Sequence, residues 1–210
     1  MTRLAQQIMA PVVVIAIMVL LVLSACTGKV RGVYPTPVPP TPTPTLAVVL
    51  DSATEKMRAL KSLSFTLTSE GAPLIPGLEA QKVVGELTLP DQVSLQVTDA
   101  EGTALDVQAG SLPLGLAGLV VTVSGLTKGL QNPVEADGQW IDNRPHRGIS
   151  GTVSGTLLAG LFPSVAPDAT VTLHLYFGEN GLIRRIRIEG PLAPGELPES
   201  VRVLDLTDLR

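Results

Sequence analysis

In three separated stretches of this chain, apolar and polar side chains change places at every residue. Leu63, Phe65 and Leu67 alternate with Ser62, Ser64, Thr66 and Thr68. Val93, Leu95 and Val97 alternate with Gln92, Ser94, Gln96 and Thr98, and Val171, Leu173, Leu175 and Phe177 with Thr172, His174 and Tyr176. Side chains on a strand point to opposite faces, so each stretch has one apolar face and one polar face. That pattern fits an antiparallel sheet with one side covered and one side wet. Val83 to Leu89 adds a strand, and Pro90-Asp91 before Gln92 predicts a tight hairpin. Residues 104–109 read as a short fourth strand. Gln139-Trp140-Ile141-Asp142-Asn143-Arg144 reads as a strand entering a turn, with His146 beside Pro145 in that turn and Arg147 to Val153 returning. Gly178-Glu179-Asn180-Gly181 turns the chain into Leu182–Glu189, and Val201–Thr207 is the last strand. The strands fall into two hairpin-rich groups.

The cover for the apolar face is also legible. After Thr45, a plausible N-cap, Leu46, Val49, Leu50, Ala53, Met57 and Leu60 recur at steps of three and four. Asp51, Glu55, Lys56 and Arg58 take the other face, which predicts an amphipathic helix of about four turns. Residues 112–131 carry a second stripe of Leu116, Leu119, Val120, Val123, Leu126 and Leu130. Gly115, Gly118, Gly125 and Gly129 oppose helix there, and Val120-Val121-Thr122-Val123 favours strand. The stripe decides for helix, apolar nearly all round, either deeply buried or at a lipid-facing mouth. Ser154 caps a short helix that runs to Phe162 and ends before Pro163. The sum is an α+β domain, antiparallel sheet with at least two helices.

Residues 1–45 stand apart from this domain. Arg3 precedes an uncharged apolar run from Pro11 to Leu23, too short to span a bilayer comfortably as a permanent helix. The run ends in Leu23-Ser24-Ala25-Cys26, which resembles a bacterial lipobox. Small residues at 24 and 25 let the chain enter a signal peptidase, and the Cys26 thiol takes a diacylglyceryl group. An uncleaved signal anchor is the alternative. The lipobox is favoured because the chain has one cysteine and it stands at the required place. Acyl chains contribute ~0.8 kcal/mol per buried CH₂, so lipidated Cys26 is a stable anchor. Pro35, Pro37, Pro39, Pro40, Pro42 and Pro44 then alternate mostly with threonine. Such a run favours extended polyproline conformation, and residues 27–45 hold the domain up to roughly 60 Å from the membrane. The expected division is a signal peptide over 1–25, lipidated cysteine and tether over 26–45, and a folded domain over 46–210.

Composition narrows the function. Arg3, Lys29 and Arg31 are the only charged residues before 46, which leaves 12 basic against 19 acidic residues, a net of −7, in the domain. An acidic domain with 3% aromatic residues over the whole chain offers nucleic acid neither a basic surface nor stacking platforms. A single cysteine excludes an internal disulfide and a cysteine-based metal cluster. His146 and His174 are the two histidines, and neither stands in a metal-binding or general-base pattern. Ser150-Gly151 and Ser154-Gly155 lack the spacing of a hydrolase nucleophile elbow, and no phosphate-cradling loop is present. The expectation is a protein that is not an enzyme and uses neither cofactor nor metal. Arg184, Arg185 and Arg187 form one basic cluster, best read as charge guarding an exposed edge strand, with a headgroup patch as the alternative.

The order of elements resembles the LppX/LprA/LprF/LprG lipoproteins over the whole mature chain. The resemblance is carried by Ile141-Asp142-Asn143, Ile149-Ser150-Gly151-Thr152-Val153-Ser154, Leu157-Leu158, Leu161-Phe162-Pro163, the Gly-Glu-Asn-Gly turn and Leu87 to Val93. It implies a curved antiparallel half-barrel sheet, of the LolA/LppX kind, with helices on its concave face and an apolar cavity between them. It implies binding, and handing over, the acyl chains of lipids or glycolipids at the extracytoplasmic face of a bacterial cell membrane. Its implied partners are the membrane, the lipid and a membrane transporter. The stretch 99–113 is shorter than in the family and lacks aromatic residues, which predicts a narrower sheet and a smaller cavity.

Cys26 is then the lipidation site, and Leu50, Met57, Leu116, Leu119, Val120, Val123, Leu157, Leu161 and Phe162 are the pocket candidates, all from elements expected over the sheet. The residues themselves leave two arrangements open. Aliphatic side chains under glycine-bearing helices either leave a void for guest chains or fill the space as a core. The second describes an extracytoplasmic interaction module without ligand.

Overall fold

The computed structural model describes residues 44–74, 81–89, 92–99, 102–105 and 118–210. The signal, Cys26, most of the tether, Leu116, Pro90-Asp91 and residues 106–117 lie outside them. The first element is helix α1, Leu46–Arg58, with Leu50, Ala53, Thr54 and Met57 buried along one face. Lys56 and Arg58 sit in its last turn, where cations meet the negative end of the helix dipole. Thr45 has the extended backbone of an N-cap, but its hydroxyl makes no capping bond.

Strands β1 (Ser62–Glu70), β2 (Lys82–Thr88), β3 (Gln92–Thr98) and β4 (Ala104–Leu105) follow, and then helix α2, Leu119–Gly129. Next come β5 (Gln131–Ile141), β6 (Arg144–Ser154), the one-turn helix α3 (Gly155–Leu158), β7 (Thr170–Phe177), β8 (Ile183–Glu189) and β9 (Val201–Thr207). All nine strands join one antiparallel sheet in the order β4-β3-β2-β1-β9-β8-β7-β6-β5, an open curved sheet rather than a closed barrel. The two predicted groups are real, and β9 is what joins them, paired to β1 on one side and β8 on the other.

The alternation seen in the sequence becomes rows across the sheet. Val97, Val83, Leu67, Leu204, Ile186, Leu175 and Ile149 stand in register on consecutive strands. All are buried, and both long helices add their apolar faces to the same core. Helix α2 confirms the stripe over the local propensities: Val120 and Val123 are helical and buried, because burying that face outweighs the β preference of valine. Ser154 caps α3 as expected, its hydroxyl accepting from Thr156 N. The α3 helix is shorter than predicted, and Leu161 and Phe162 lie just past its end, where their amides donate to Leu158 O.

Three expectations need correction. Strand β5 begins at Gln131, eight residues before the predicted start, because an edge strand exposed on both sides shows no alternation. The β5–β6 turn is Asp142-Asn143, with φ of +50° and +59°, the left-handed pair of a two-residue hairpin. Pro145 and His146 therefore belong to β6, and His146 is buried rather than in a turn. Finally, β8 is an interior strand, so its arginines guard no edge.

Candidate functional site

The two long helices meet over the sheet. α1 and α2 pack on each other, and their contact holds a buried polar clasp. Thr54 Oγ1 lies within hydrogen-bond distance of Thr127 Oγ1 and donates to Leu50 O at 2.8 Å, and Thr127 Oγ1 also reaches Ser124 O at 2.8 Å. From the helix pair to the sheet, the side-chain hydrogen bond among the described residues is Lys56 Nζ to Asn180 O, 2.7 Å. The remaining attachment is apolar and without direction.

Leu50, Met57, Leu119, Val120, Val123, Leu161 and Phe162 are all buried in the single core between helices and sheet. Leu157 is half-buried against that core, pressed on Gly129 of α2, and Leu116 lies outside the described residues. The predicted residues are thus brought together on one side of the sheet, in contact with its aliphatic inner face.

Two cavities flank this core. One, of ≈ 590 Å³, is polar and includes Asp142, Arg144, His146, Asn180, Arg185 and Asp205 in its walls. Arg185 forks onto Asp205 at 2.5 and 3.0 Å and reaches Gln139 at 3.2 Å. The Asp205 bond raises the Arg185 pKa further, and burial pushes the Tyr176 hydroxyl above its ordinary value. Nearby on the outer face, Arg187 holds the Glu189 carboxyl below the usual carboxylate range, partly against burial, and the His174 ring 3.6 Å away adds to the effect. Two arginines of the basic cluster, Arg185 and Arg187, are therefore paired with carboxylates on the sheet.

The second cavity, of ≈ 310 Å³, borders the core, since Leu74, Phe162 and Leu192 belong to both. Its charged pair, Arg202 and Glu196, was not anticipated from sequence. Arg202 alternates with Leu204 and Leu206 on the inner face of β9 and is 2% exposed. Val201 and Val203 occupy the other face, so both faces of β9 are partly apolar and the pattern alone does not orient the strand. Among the described residues, no group of three His, Cys, Asp or Glu side chains is placed to hold a metal ion.

No family model matches the chain, and neither does any curated protein. Among solved structures, the lipoprotein LppX of Mycobacterium tuberculosis matches 78% of this chain and 94% of its own, with TM-score 0.57 and 14% identity. LprF from Mycobacterium bovis matches 80% of this chain and 94% of its own, with TM-score 0.57 and 13% identity. The chain has the LppX fold. The curved sheet and covering helices inferred from the sequence resemblance are those of LppX and LprF. At this identity the likeness extends to the LppX fold alone, and the site is argued from this chain's own residues. No helix among the described residues is long and apolar enough to cross a membrane.

Proposed function

We propose that this protein is a lipid-anchored envelope lipoprotein that takes acyl chains between its helix pair and the inner face of its sheet. It transfers them without chemistry. The observation that carries this reading is the aliphatic inner face. In a fold shared with two mycobacterial lipoproteins, it is covered by a helix pair that clasps itself through Thr54 and Thr127 and meets the sheet through apolar contacts. Such a pair lifts as a unit, and apolar contacts re-form on any aliphatic guest. Each guest CH₂ removed from water contributes ~0.8 kcal/mol, so a chain of ten carbons offsets the contacts it displaces. Lipidated Cys26 and the proline-rich tether hold the domain at the extracytoplasmic face of a bacterial cell membrane. Lipids or glycolipids of that envelope are the cargo, and a membrane transporter is the partner that gives or receives them.

Mass spectrometry of organic extracts tests this. Protein purified from its own host is expected to carry co-extracted lipid, and Val120→Trp is expected to reduce that load while the protein stays folded. Lipid-free protein from that source would overturn the carrier and leave an interaction module with a filled core.

A further inference from the structure

Arg202 is the one arginine, lysine, aspartate or glutamate buried among the described residues. It stands on the apolar side of the sheet, in register between Ser69 of β1 and Ile188 of β8. Its Nη2 donates to Glu196 Oε1 at 2.6 Å, and the guanidinium lies 5.6 Å from the Phe162 ring centroid. The other Glu196 oxygen accepts from Leu192 N at 2.7 Å. Both carboxylate oxygens are thereby engaged, while Arg202 Nη1 is buried and has no hydrogen-bond partner. Just before β9, the fully buried Ser200 hydroxyl also has no partner. Two residues of chain span at most roughly 7 Å, so the backbones that carry these two unpartnered groups are close neighbours. A buried donor without a partner costs free energy that a folded protein rarely leaves uncompensated.

Arg202 opens onto the ≈ 310 Å³ cavity, whose walls include Glu196 and the apolar Leu74, Phe162, Leu192 and Leu197. Leu197 is half exposed, so one wall reaches solvent. The cavity therefore offers the Arg202 guanidinium in its wall, aliphatic walls beside it and continuity with the core, and the Ser200 amide bonds Leu197 O of the same wall. That combination suits an amphiphile with an oxygen-rich head. We propose that Arg202 and Ser200 seat the anionic head group, carboxylate or phosphate, of the lipid whose chain enters the core. The proposal rests on the acyl-chain reading above and gives it a ligand class. A guanidinium has five N–H donors and serves two carboxylates at once, and anionic oxygens are its strongest acceptors. Glu196 holds the Nη2 edge and leaves Nη1 for the ligand, and the Leu192 N–H draws off part of the Glu196 charge.

The test compares oleate, oleyl alcohol and inorganic phosphate as ligands of the delipidated full chain by isothermal titration. Oleate is expected to bind about tenfold tighter than oleyl alcohol, the scale of one charge-assisted hydrogen bond. Arg202→Gln is expected to erase that preference and leave the alcohol's affinity unchanged. Ser200→Ala removes a hydroxyl that has no partner, so it is expected to fold with an unchanged or higher melting temperature. Its oleate affinity is expected to fall by about three-fold; this variant carries the test if Arg202→Gln does not fold. Equal binding of oleate and oleyl alcohol by the unaltered protein would overturn the head-group assignment and leave acyl-chain binding standing. Binding of phosphate with neither oleyl compound, or of none of the three, would overturn both.

Discussion

Gly85 faces Phe65 across the β1–β2 pair, and the aromatic ring covers it. A Cβ at Gly85 would come within 2.7 Å of both Phe65 Cζ and the Ser94 carbonyl oxygen. Gly85→Ala is therefore expected to cost about 1–3 kcal/mol in chemical denaturation, as overpacking a closed core does. Gly125 is the opposite case. It lies within α2, and an added Cβ would meet nothing within 4 Å. Gly125→Ala is expected to stabilise by about 0.5–1 kcal/mol, the helix-propensity difference, read in the same denaturation curves. Both glycines sit in stretches whose element type the sequence pattern declares. What separates them is the neighbour across space, Phe65 in one case and open space in the other, and a single sequence does not display that.

At the scale of elements, three hydrogen bonds around Thr54 and Thr127 compete for two hydroxyl hydrogens. The bond between the helices takes one hydrogen, and one carbonyl, Leu50 O or Ser124 O, receives the other. Thr54→Val and Thr127→Val singly are each expected to cost about 1 kcal/mol, since each removes the bond between the helices while the remaining hydroxyl donates to the carbonyl on its own helix, Ser124 O or Leu50 O. The double variant is expected to cost less than the sum, and a double-mutant cycle in urea measures the coupling. Additive losses would show that the two hydroxyls do not act together. The two long helices were legible from their stripes and the short one from its cap, and each of the nine described strands was read from the sequence, β5 over its last residues alone. The rest of β5 was hidden because Asn132, Pro133, Val134 and Glu135 are all exposed, so no face of that segment is marked by burial. The hairpin at Asp142-Asn143 carried its own signal, two residues that tolerate positive φ, and Pro145 nearby drew the turn to the wrong place.

For the whole molecule, the pocket candidates were legible as a group because every buried stripe of a covering helix must face the sheet. Arg202 was not, because its significance comes from the inward register of β9, which its two apolar faces conceal, and Ser200 just before the strand carries no pattern of its own. The anchor belongs to this scale as well. Cys26→Ser is expected to move the protein from the membrane pellet to the soluble fraction after carbonate washing, with its melting temperature unchanged. Retention in the pellet would contradict lipidation at Cys26.

The place of β9 between β1 and β8 has a consequence for assembly. The strand that bridges the sheet follows the other eight described strands in the chain, and its partners β1 and β8 lie far apart in sequence. Until Val201 to Thr207 arrive, the chain owns two separate hairpin ribbons, each with a bare rim of unpaired amides and carbonyls. Closure is a late, long-range event, slow by the measure of contact order, and a nascent chain stalled before Val201 would be sticky along both rims.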